Sequence, residues 1–282
     1  MAQVAELRAR NAMFWDRAAP GWIRHAERQD ELGRPLGAAA LDRLRAGPGE
    51  RVLDVGCGCG GTTAELAAAV GPTGIAVGVD LSEAMVAQAR TRFPGLRFLA
   101  GDIETIGVVP GAPFDAVYSR MTLMLLADPA AGLTTIARAL RPGGRLAATV
   151  FRDGGAVPWL FAAVLGAAPH LGPMPPLPLG AEPGPFAFAE PARLAHALTA
   201  AGFADVEIEA RDVTLEATDN PDAVAEWLIE IGPAGAAYRE ATPEGQALAR
   251  SGATRLLERF RTADSGYRLP TGLWLVTAES GG

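Results

Sequence analysis

Residues 52–63 combine a short apolar segment, a carboxylate and repeated glycines, a set suited to holding a nucleotide. Residues 52–55 are typical of a buried strand, with Asp54 near its end, and glycines then recur at positions 56, 58 and 60. Glycine lets the backbone turn sharply and lets a ligand approach with no Cβ in the way. A predicted helix follows, whose N-terminal amides can bind a carboxylate or a phosphate. The segment therefore predicts a site for a nucleotide-containing ligand.

The glycine spacing fits two kinds of ligand. Gly56, Gly58 and Gly61 satisfy the dinucleotide pattern G-x-G-x-x-G, and Asp80 lies about where a ribose-binding acid is expected. Counted from Asp54, the same run also satisfies D-x-G-x-G-x-G. Asp54 favours the second pattern, because a carboxylate beside a pyrophosphate places two like charges in a low-dielectric site. It suits a ligand that brings a cationic amino acid portion.

With Asp54 included, the stretch VLDVGCGCG at residues 52–60 resembles the first motif of the class I S-adenosylmethionine-dependent methyltransferases. Four further landmarks stand in the family order: GVDLSEAM at 78–85, a third strand at 96–100 followed by GDIE at 101–104, a fourth strand at 114–119, and LRPGGRL at 140–146 leading into a fifth strand. One such motif is weak evidence, whereas five in order across residues 50–151 make the resemblance strong.

The resemblance implies an α/β fold with a Rossmann-like, seven-stranded, mostly parallel sheet, an antiparallel last strand and helices on both faces. It implies transfer of a methyl group from S-adenosyl-L-methionine to an O, N or C atom of a small, partly hydrophobic metabolite, with S-adenosyl-L-homocysteine as the product. Two alternatives stay open. One is a methyltransferase-like protein that keeps this cofactor for another reaction, and the other is an NAD-dependent oxidoreductase.

The resemblance also assigns roles to cofactor-binding residues. Asp80 matches the acid that accepts hydrogen bonds from both ribose hydroxyls, Asp102 matches the residue that accepts from the adenine amino group, and Ile103 is expected to pack on the ring. The backbone after the fourth strand is expected to meet the methionine part. The remaining expected cofactor contacts are Trp22, Asp54, Gly56, Cys57, Gly58, Gly60, Thr62, Thr63, Leu81, Met85, Gly101, Ser119, Arg120 and Met121.

No catalytic residue stands out, and two side chains are candidates. His25 lies one helical turn from Trp22, so both can face the cavity, and His25 is a candidate general base. Arg120 is suited either to pairing a substrate carboxylate or to tying down its loop. Cys57 and Cys59 are interpreted as small loop side chains, because no further cysteine could complete a metal site. We expect no metal.

Local signals define the elements that position these residues. Ser82 is a plausible N-cap, Asp128 and Pro129 open a helix, and Gly202 closes a helix predicted over about 191–201. A sixth strand is predicted at 206–210 and the last at 273–278. The expected segments are an N-terminal helical cap at 1–48, a cofactor-binding core at 49–154, an apolar flap at 155–189, more core at 190–218, a helical lid insertion at 219–265, and the last strand and tail at 266–282.

The flap and the insertion are expected to close over the methyl acceptor, because the core fold needs neither and both are apolar. The prolines of the flap are expected to prevent a regular strand or a long helix. The flap is equally suited to a homodimer interface.

Composition narrows the function class. The 282 residues carry a formal net charge of −7, which argues against a nucleic-acid partner. All 25 basic residues are arginine, which excludes the phosphate-binding lysine of P-loop proteins and Schiff-base chemistry. No apolar stretch is long enough to span a membrane, and neither a signal peptide nor a disulfide framework is evident. We therefore expect a cytoplasmic protein with a small-molecule substrate.

Overall fold

The computed structural model describes residues 2–263 and 266–281. Seven strands form one sheet in the order β3-β2-β1-β4-β5-β7-β6, and β7 runs antiparallel to both of its neighbours. The strands are β1 (Arg51–Val55), β2 (Ile75–Asp80), β3 (Arg97–Ala100), β4 (Phe114–Arg120), β5 (Leu140–Phe151), β6 (Phe203–Ala217) and β7 (Tyr267–Ser280). The predicted Rossmann-like sheet with an antiparallel last strand is confirmed.

Helices flank this sheet and extend beyond it. They are α1 (Ala2–Arg24), α2 (Ala26–Leu32), α3 (Ala38–Leu44), α4 (Gly61–Val70), α5 (Glu83–Arg92), α6 (Pro129–Ala139), α7 (Pro158–Ala167), α8 (Pro191–Ala200), α9 (Pro221–Ile231), α10 (Gly235–Glu240) and α11 (Pro243–Leu257). The predicted caps are present: the Ser82 hydroxyl accepts from the Met85 amide at 3.3 Å, and the Asp128 carboxylate from the Ala131 amide at 3.1 Å. Gly202 follows α8 with φ +97°.

The strands alternate their side chains between two apolar layers, as the pleat requires. Val52 of β1 packs with helices α3 and α4 on one face, whereas Leu53 packs with α6 and α8 on the other. Ala40 and Leu44 of the cap lie in the first layer. Leu36 packs near a second core described below.

Strands β6 and β7 are much longer than predicted. Beyond the sheet they pair only with each other, from Asp212 opposite Gly272 to Ala217 opposite Tyr267. The charged residues of β6 obscure its apolar alternation in the sequence. The resulting two-stranded ribbon carries helices α9, α10 and α11.

The flap and the insertion share a second hydrophobic core. Trp159 of α7 and Trp227 of α9 are both buried in it, together with Tyr238 of α10. Helices α7 and α11 approach closely at two glycines, because a Cβ on Gly252 would lie 2.1 Å from the Gly166 carbonyl oxygen. The flap thus contains a ten-residue helix, which Pro158 starts at its first position, where a missing N–H costs nothing.

No helix in residues 2–263 or 266–281 is both long and apolar enough to cross a membrane.

Candidate functional site

A cavity opens at the carboxyl ends of strands β1, β2 and β4, beneath helices α1 and α2 of the cap. Ligands of open α/β sheets bind at this edge. Twelve of the predicted cofactor contacts line it: Trp22, Gly56, Cys57, Gly58, Asp80, Leu81, Met85, Gly101, Asp102, Ile103, Arg120 and Met121. Five others are not among the lining residues: Asp54, Gly60, Thr62, Thr63 and Ser119. All five are buried.

The loop after β1 needs glycine for two different reasons. Gly56 has φ +78°, and a Cβ there would lie 2.0 Å from the Thr122 hydroxyl oxygen, so the two segments could not pack. Gly58 has φ +52°, and a Cβ there would meet no atom within 4 Å. The open space over Gly58 is part of the cavity, so this turn presents bare backbone to a ligand.

Asp80 ends β2 with its carboxylate held in a fixed orientation. One oxygen accepts from the Gly58 amide at 2.8 Å and the other from the Ser82 amide at 2.9 Å. Burial raises the pKa of this carboxyl, and the two backbone hydrogen bonds oppose that rise. Each carboxylate oxygen can accept a further hydrogen bond, and Asp80 lines the cavity, so the residue suits two adjacent hydroxyl groups.

The cavity end after β3 is closed by the N-terminal half of α1. The Arg8 guanidinium donates to Glu104 at 2.8 Å and lies 4.0 Å from an Asp102 oxygen. The Asp102 carboxylate accepts from the Glu104 amide at 2.8 Å, and Ile103 lies in the wall beside it. Asn11 donates to the Leu125 carbonyl at 2.9 Å. A flat ring entering here would therefore meet an apolar side chain, a carboxylate and a helix.

The opposite end is formed by the chain after β4. Met121 has φ +59°, a conformation that is rare for this residue type and marks a sharp turn at the sheet edge. Arg120 lines the cavity, and its guanidinium donates to the Gly33 carbonyl of the cap at 3.4 Å. Ser119 is fully buried beneath, where its hydroxyl donates to the Val55 carbonyl at 3.0 Å.

Asp54 is buried behind the glycine loop, with 1% of its surface exposed. One carboxylate oxygen accepts from the Thr63 hydroxyl at 2.7 Å, so Asp54 ties β1 to the first turn of α4. Burial raises the pKa of Asp54 to about 7, against the Thr63 hydrogen bond and the positive charge of Arg120, which lower it.

This raised pKa predicts a pH dependence of stability. Between about pH 4 and pH 7 the native protein binds more protons at Asp54 than the unfolded chain does, so this residue lowers the free energy of unfolding as pH rises. In Asp54→Asn a neutral amide replaces the carboxylate, so the free-energy cost of burying its charge is removed. We expect the variant to gain stability relative to wild type across this window, by up to about 4 kcal/mol. Urea unfolding of both proteins at several pH values measures the difference in their free energies of unfolding. A difference that does not change with pH would contradict the prediction.

His25 does not line the cavity, which corrects its expected placement. Its Nε2 lies 2.8 Å from the fully buried Glu230 carboxylate of α9. Trp22, one turn earlier, does line the cavity, and its indole N–H donates to the Ile231 carbonyl at 3.2 Å. His25 is therefore turned toward the insertion, where a strong acceptor holds it, and the geometry does not support a role as general base.

The two cysteines are buried in the loop. Burial raises the pKa of both thiols, to about 12 for Cys59 and well above the ordinary value for Cys57. Within residues 2–263 and 266–281, no group of three or more His, Cys, Asp or Glu side chains is arranged to hold a metal ion.

The flap and the lid insertion contribute nothing to the cavity wall among the described residues. Their apolar side chains pack on each other in the second core instead, which corrects the expectation that they cover the ligand directly. The insertion contacts the cap: Trp227 donates to the side-chain oxygen of Gln29 at 3.0 Å, and Arg28 pairs with Asp219 at 2.5 Å.

About half of the wall residues are not among the contacts predicted from the sequence. The missed residues are Asn11, Trp15, Ala26, Gln29, Asp30, Gly33, Leu36, Val55, Cys59, Val79, Glu104, Thr122, Leu125 and Leu126. The missed residues of the cap belong to no sequence motif, because contacts with residues distant along the chain bring them to the site. Glu104 and Thr122 come shortly after predicted strands, and this position could have identified them.

Comparison with known proteins indicates a methyltransferase family. A family model described as a methyltransferase domain matches residues 52–144. The nocamycin O-methyltransferase of Saccharothrix syringae is 33% identical over 213 residues, which span 72% of this chain and 76% of that protein. The demethylmenaquinone methyltransferase of Beutenbergia cavernae is 41% identical over 130 residues, 45% of this chain and 51% of that protein.

Several other relatives match over a smaller part of their length. This chain spans between 34% and 45% of three of them. Among solved structures, a putative methyltransferase of Bacillus halodurans superposes with a TM-score of 0.52 at 21% identity, covering 86% of this chain and 98% of that one. At that identity the likeness concerns the fold alone.

Proposed function

The chain belongs to the class I S-adenosylmethionine-dependent methyltransferase family, and we propose that it binds S-adenosylmethionine beneath its cap and methylates an O, N or C atom of a small, partly hydrophobic metabolite. The observation that carries this proposal is the fixed carboxylate of Asp80, with Asp102 on one side and the bare backbone at Gly58 beneath. These groups suit the ribose, the adenine and the close approach of the cofactor chain. The similarity to the nocamycin O-methyltransferase of Saccharothrix syringae supports a small-molecule acceptor.

The proposed methyl transfer requires the protein mainly to position the two reactants. When bound, S-adenosylmethionine supplies a methyl group made electrophilic by its sulfonium sulfur. The protein must then hold an acceptor atom in line at near-attack distance and keep water out. Trp15 and Trp22 pack edge to face, with ring centroids 5.8 Å apart, and Leu36 adds a further apolar group to the wall. These side chains form the water-excluding part of the cap.

The acidic groups of the wall are already assigned to structural contacts or to the proposed cofactor. Asp30 pairs with Arg92 at 2.5 Å, Glu104 with Arg8 at 2.8 Å, and Asp80 with two backbone amides. The wall contains no histidine among the described residues. This arrangement supports catalysis by orientation rather than by a dedicated base, which suits an acceptor that is already nucleophilic.

The alternative dinucleotide ligand meets an obstacle at helix α4. The Asp30 carboxylate lies against Gly61, the first residue of that helix, where a Cβ would stand 2.0 Å from its oxygen. A pyrophosphate at this helix terminus would face that negative charge as well as buried Asp54.

Ligand-induced stabilisation tests the proposal. We expect S-adenosylhomocysteine to raise the melting temperature, by an amount that grows with the logarithm of its concentration above Kd, and NAD to leave it unchanged. Incubation with S-adenosylmethionine labelled on the methyl group and a metabolite extract then identifies the acceptor by its label. Stabilisation by NAD alone would overturn the assignment.

A further inference from the structure

The side chain of Gln29 reaches from the second core to the cavity. Its Oε1 accepts from the Trp227 indole N–H at 3.0 Å. An indole N–H can only donate, so this bond turns the amide oxygen toward Trp227 and the NH2 group away from it. Within residues 2–263 and 266–281 the amide nitrogen makes no hydrogen bond, and it is not fully buried. Because Gln29 lines the cavity, its two N–H groups are available to a ligand there.

Two other polar side chains of the cap wall already have protein partners. Asn11 donates from its amide nitrogen to the Leu125 carbonyl at 2.9 Å, and the Trp22 indole donates to the Ile231 carbonyl at 3.2 Å. Gln29 therefore differs from them in presenting an amide donor whose orientation is fixed but whose hydrogens have no partner in the described part of the chain.

Gln29 lies at the β4 end of the cavity. The Gly33 amide donates to the Gln29 carbonyl at 3.1 Å, and the Gly33 carbonyl accepts from Arg120, the last residue of β4, at 3.4 Å. In the sheet order β3-β2-β1-β4, Asp102 and Asp80 lie on the other side of β1. With the nucleoside of the cofactor at those two carboxylates, the end that contains Gln29 is left for the methyl group and its acceptor.

The wall also restricts the chemistry of the acceptor. It has no histidine among the described residues, so the acceptor must be nucleophilic without giving a proton to an imidazole. Carboxylates and enolised 1,3-diketones meet this condition, and each spreads its negative charge over two conjugated oxygens. That charge is tolerated here because Arg120 lines the cavity and the carboxylates of Asp30 and Glu104 are paired with arginines. An amine would instead bring N–H donors to the Gln29 donor.

We propose that Gln29 selects a methyl acceptor with two conjugated oxygens, a carboxylate or an enolised diketone, by donating to the oxygen that is not methylated. The proposal rests on the proposed function. The other oxygen forms a bond to the methyl carbon while the carbon–sulfur bond breaks, and the electron pair of that bond stays on sulfur, which becomes a neutral thioether. No proton moves in this step, because the acceptor enters deprotonated. Gln29 orients the acceptor, so it determines specificity.

Gln29→Glu tests this role without disturbing the cap, because one carboxylate oxygen still accepts from Trp227 while the other replaces the NH2 group. We expect its affinity for S-adenosylhomocysteine, measured by calorimetry, to stay within about threefold of wild type. Its initial rate of methyl transfer from labelled S-adenosylmethionine to a metabolite extract should fall about 100-fold, since repulsion replaces a hydrogen bond to a charged group. Gln3→Glu adds the same charge at an exposed position of α1 and should match wild type in both measurements.

The main labelled product identifies the acceptor class. Mild base releases labelled methanol from a methyl ester and dilute acid releases it from an enol ether, whereas N-methyl and C-methyl products keep the label. The proposal fails if the wild-type product keeps its label under both treatments, or if Gln29→Glu transfers methyl at the wild-type rate. A parallel loss of rate and S-adenosylhomocysteine affinity would also overturn it, since Gln29 would then only hold the cap. A wild-type protein that does not bind S-adenosylhomocysteine, or that labels no product, would overturn the proposed function instead.

Discussion

Replacing Asp80 with alanine is expected to weaken S-adenosylhomocysteine binding by more than about 100-fold. The ribose hydroxyls would lose two hydrogen bonds to a carboxylate, each worth about 1.5–3 kcal/mol. The loop would also lose the carboxylate that fixes Gly58 and Ser82 through their amides. Calorimetry with the purified variant measures the loss, and 5′-methylthioadenosine should lose affinity in parallel because it carries the same ribose.

Two further variants make this result interpretable. Asp80→Asn keeps one acceptor oxygen and should lose less affinity than the alanine variant. Asp212→Ala removes a carboxylate that is 78% exposed on the ribbon, and it should bind as wild type does. If Asp80→Ala melts at the wild-type temperature and binds with unchanged affinity, Asp80 does not hold the ribose.

Much of the sheet could be predicted because its signals are local. Apolar strands, the glycine loop, the Ser82 and Asp128 caps and the Gly202 terminus each depend on residues within one turn or strand of each other. Their order along the chain then follows the family pattern. The side chains at the strand ends, Asp80 and Asp102, could be placed on one edge because parallel strands share it.

The cap and its supports could not be predicted, because their partners are distant in sequence. His25 and Glu230 are 205 positions apart, and Arg8 and Glu104 are 96 apart. No spacing rule relates such residues, and an apolar flap has the same composition whether it covers a ligand or packs on another helix. The contact of Asp30 with Gly61 could not be predicted either, because it depends on how α2 crosses the glycine loop.

The insertion is expected to govern the cavity by supporting the cap, and Trp227 is the residue that tests this. Its ring is 1% exposed in the second core, so Trp227→Ala should lower the free energy of unfolding by about 3–5 kcal/mol. The indole N–H also fixes the Gln29 side chain in the cavity wall at 3.0 Å, and the Arg28 guanidinium lies 5.8 Å from the ring centroid. Urea unfolding of the variant measures the stability loss.

Trp227→Phe separates packing from this support, because it keeps most of the buried ring and removes only the N–H donor. We expect a loss of about 1 kcal/mol for the missing hydrogen bond, and faster hydrogen exchange in α1 and α2 with little change in the central strands. Affinity for S-adenosylhomocysteine should fall with the loosened cap, although Trp227 does not line the cavity. If exchange in the cap and ligand affinity both match wild type, the insertion does not support the cap through Trp227, and Gln29 is held by its own helix alone.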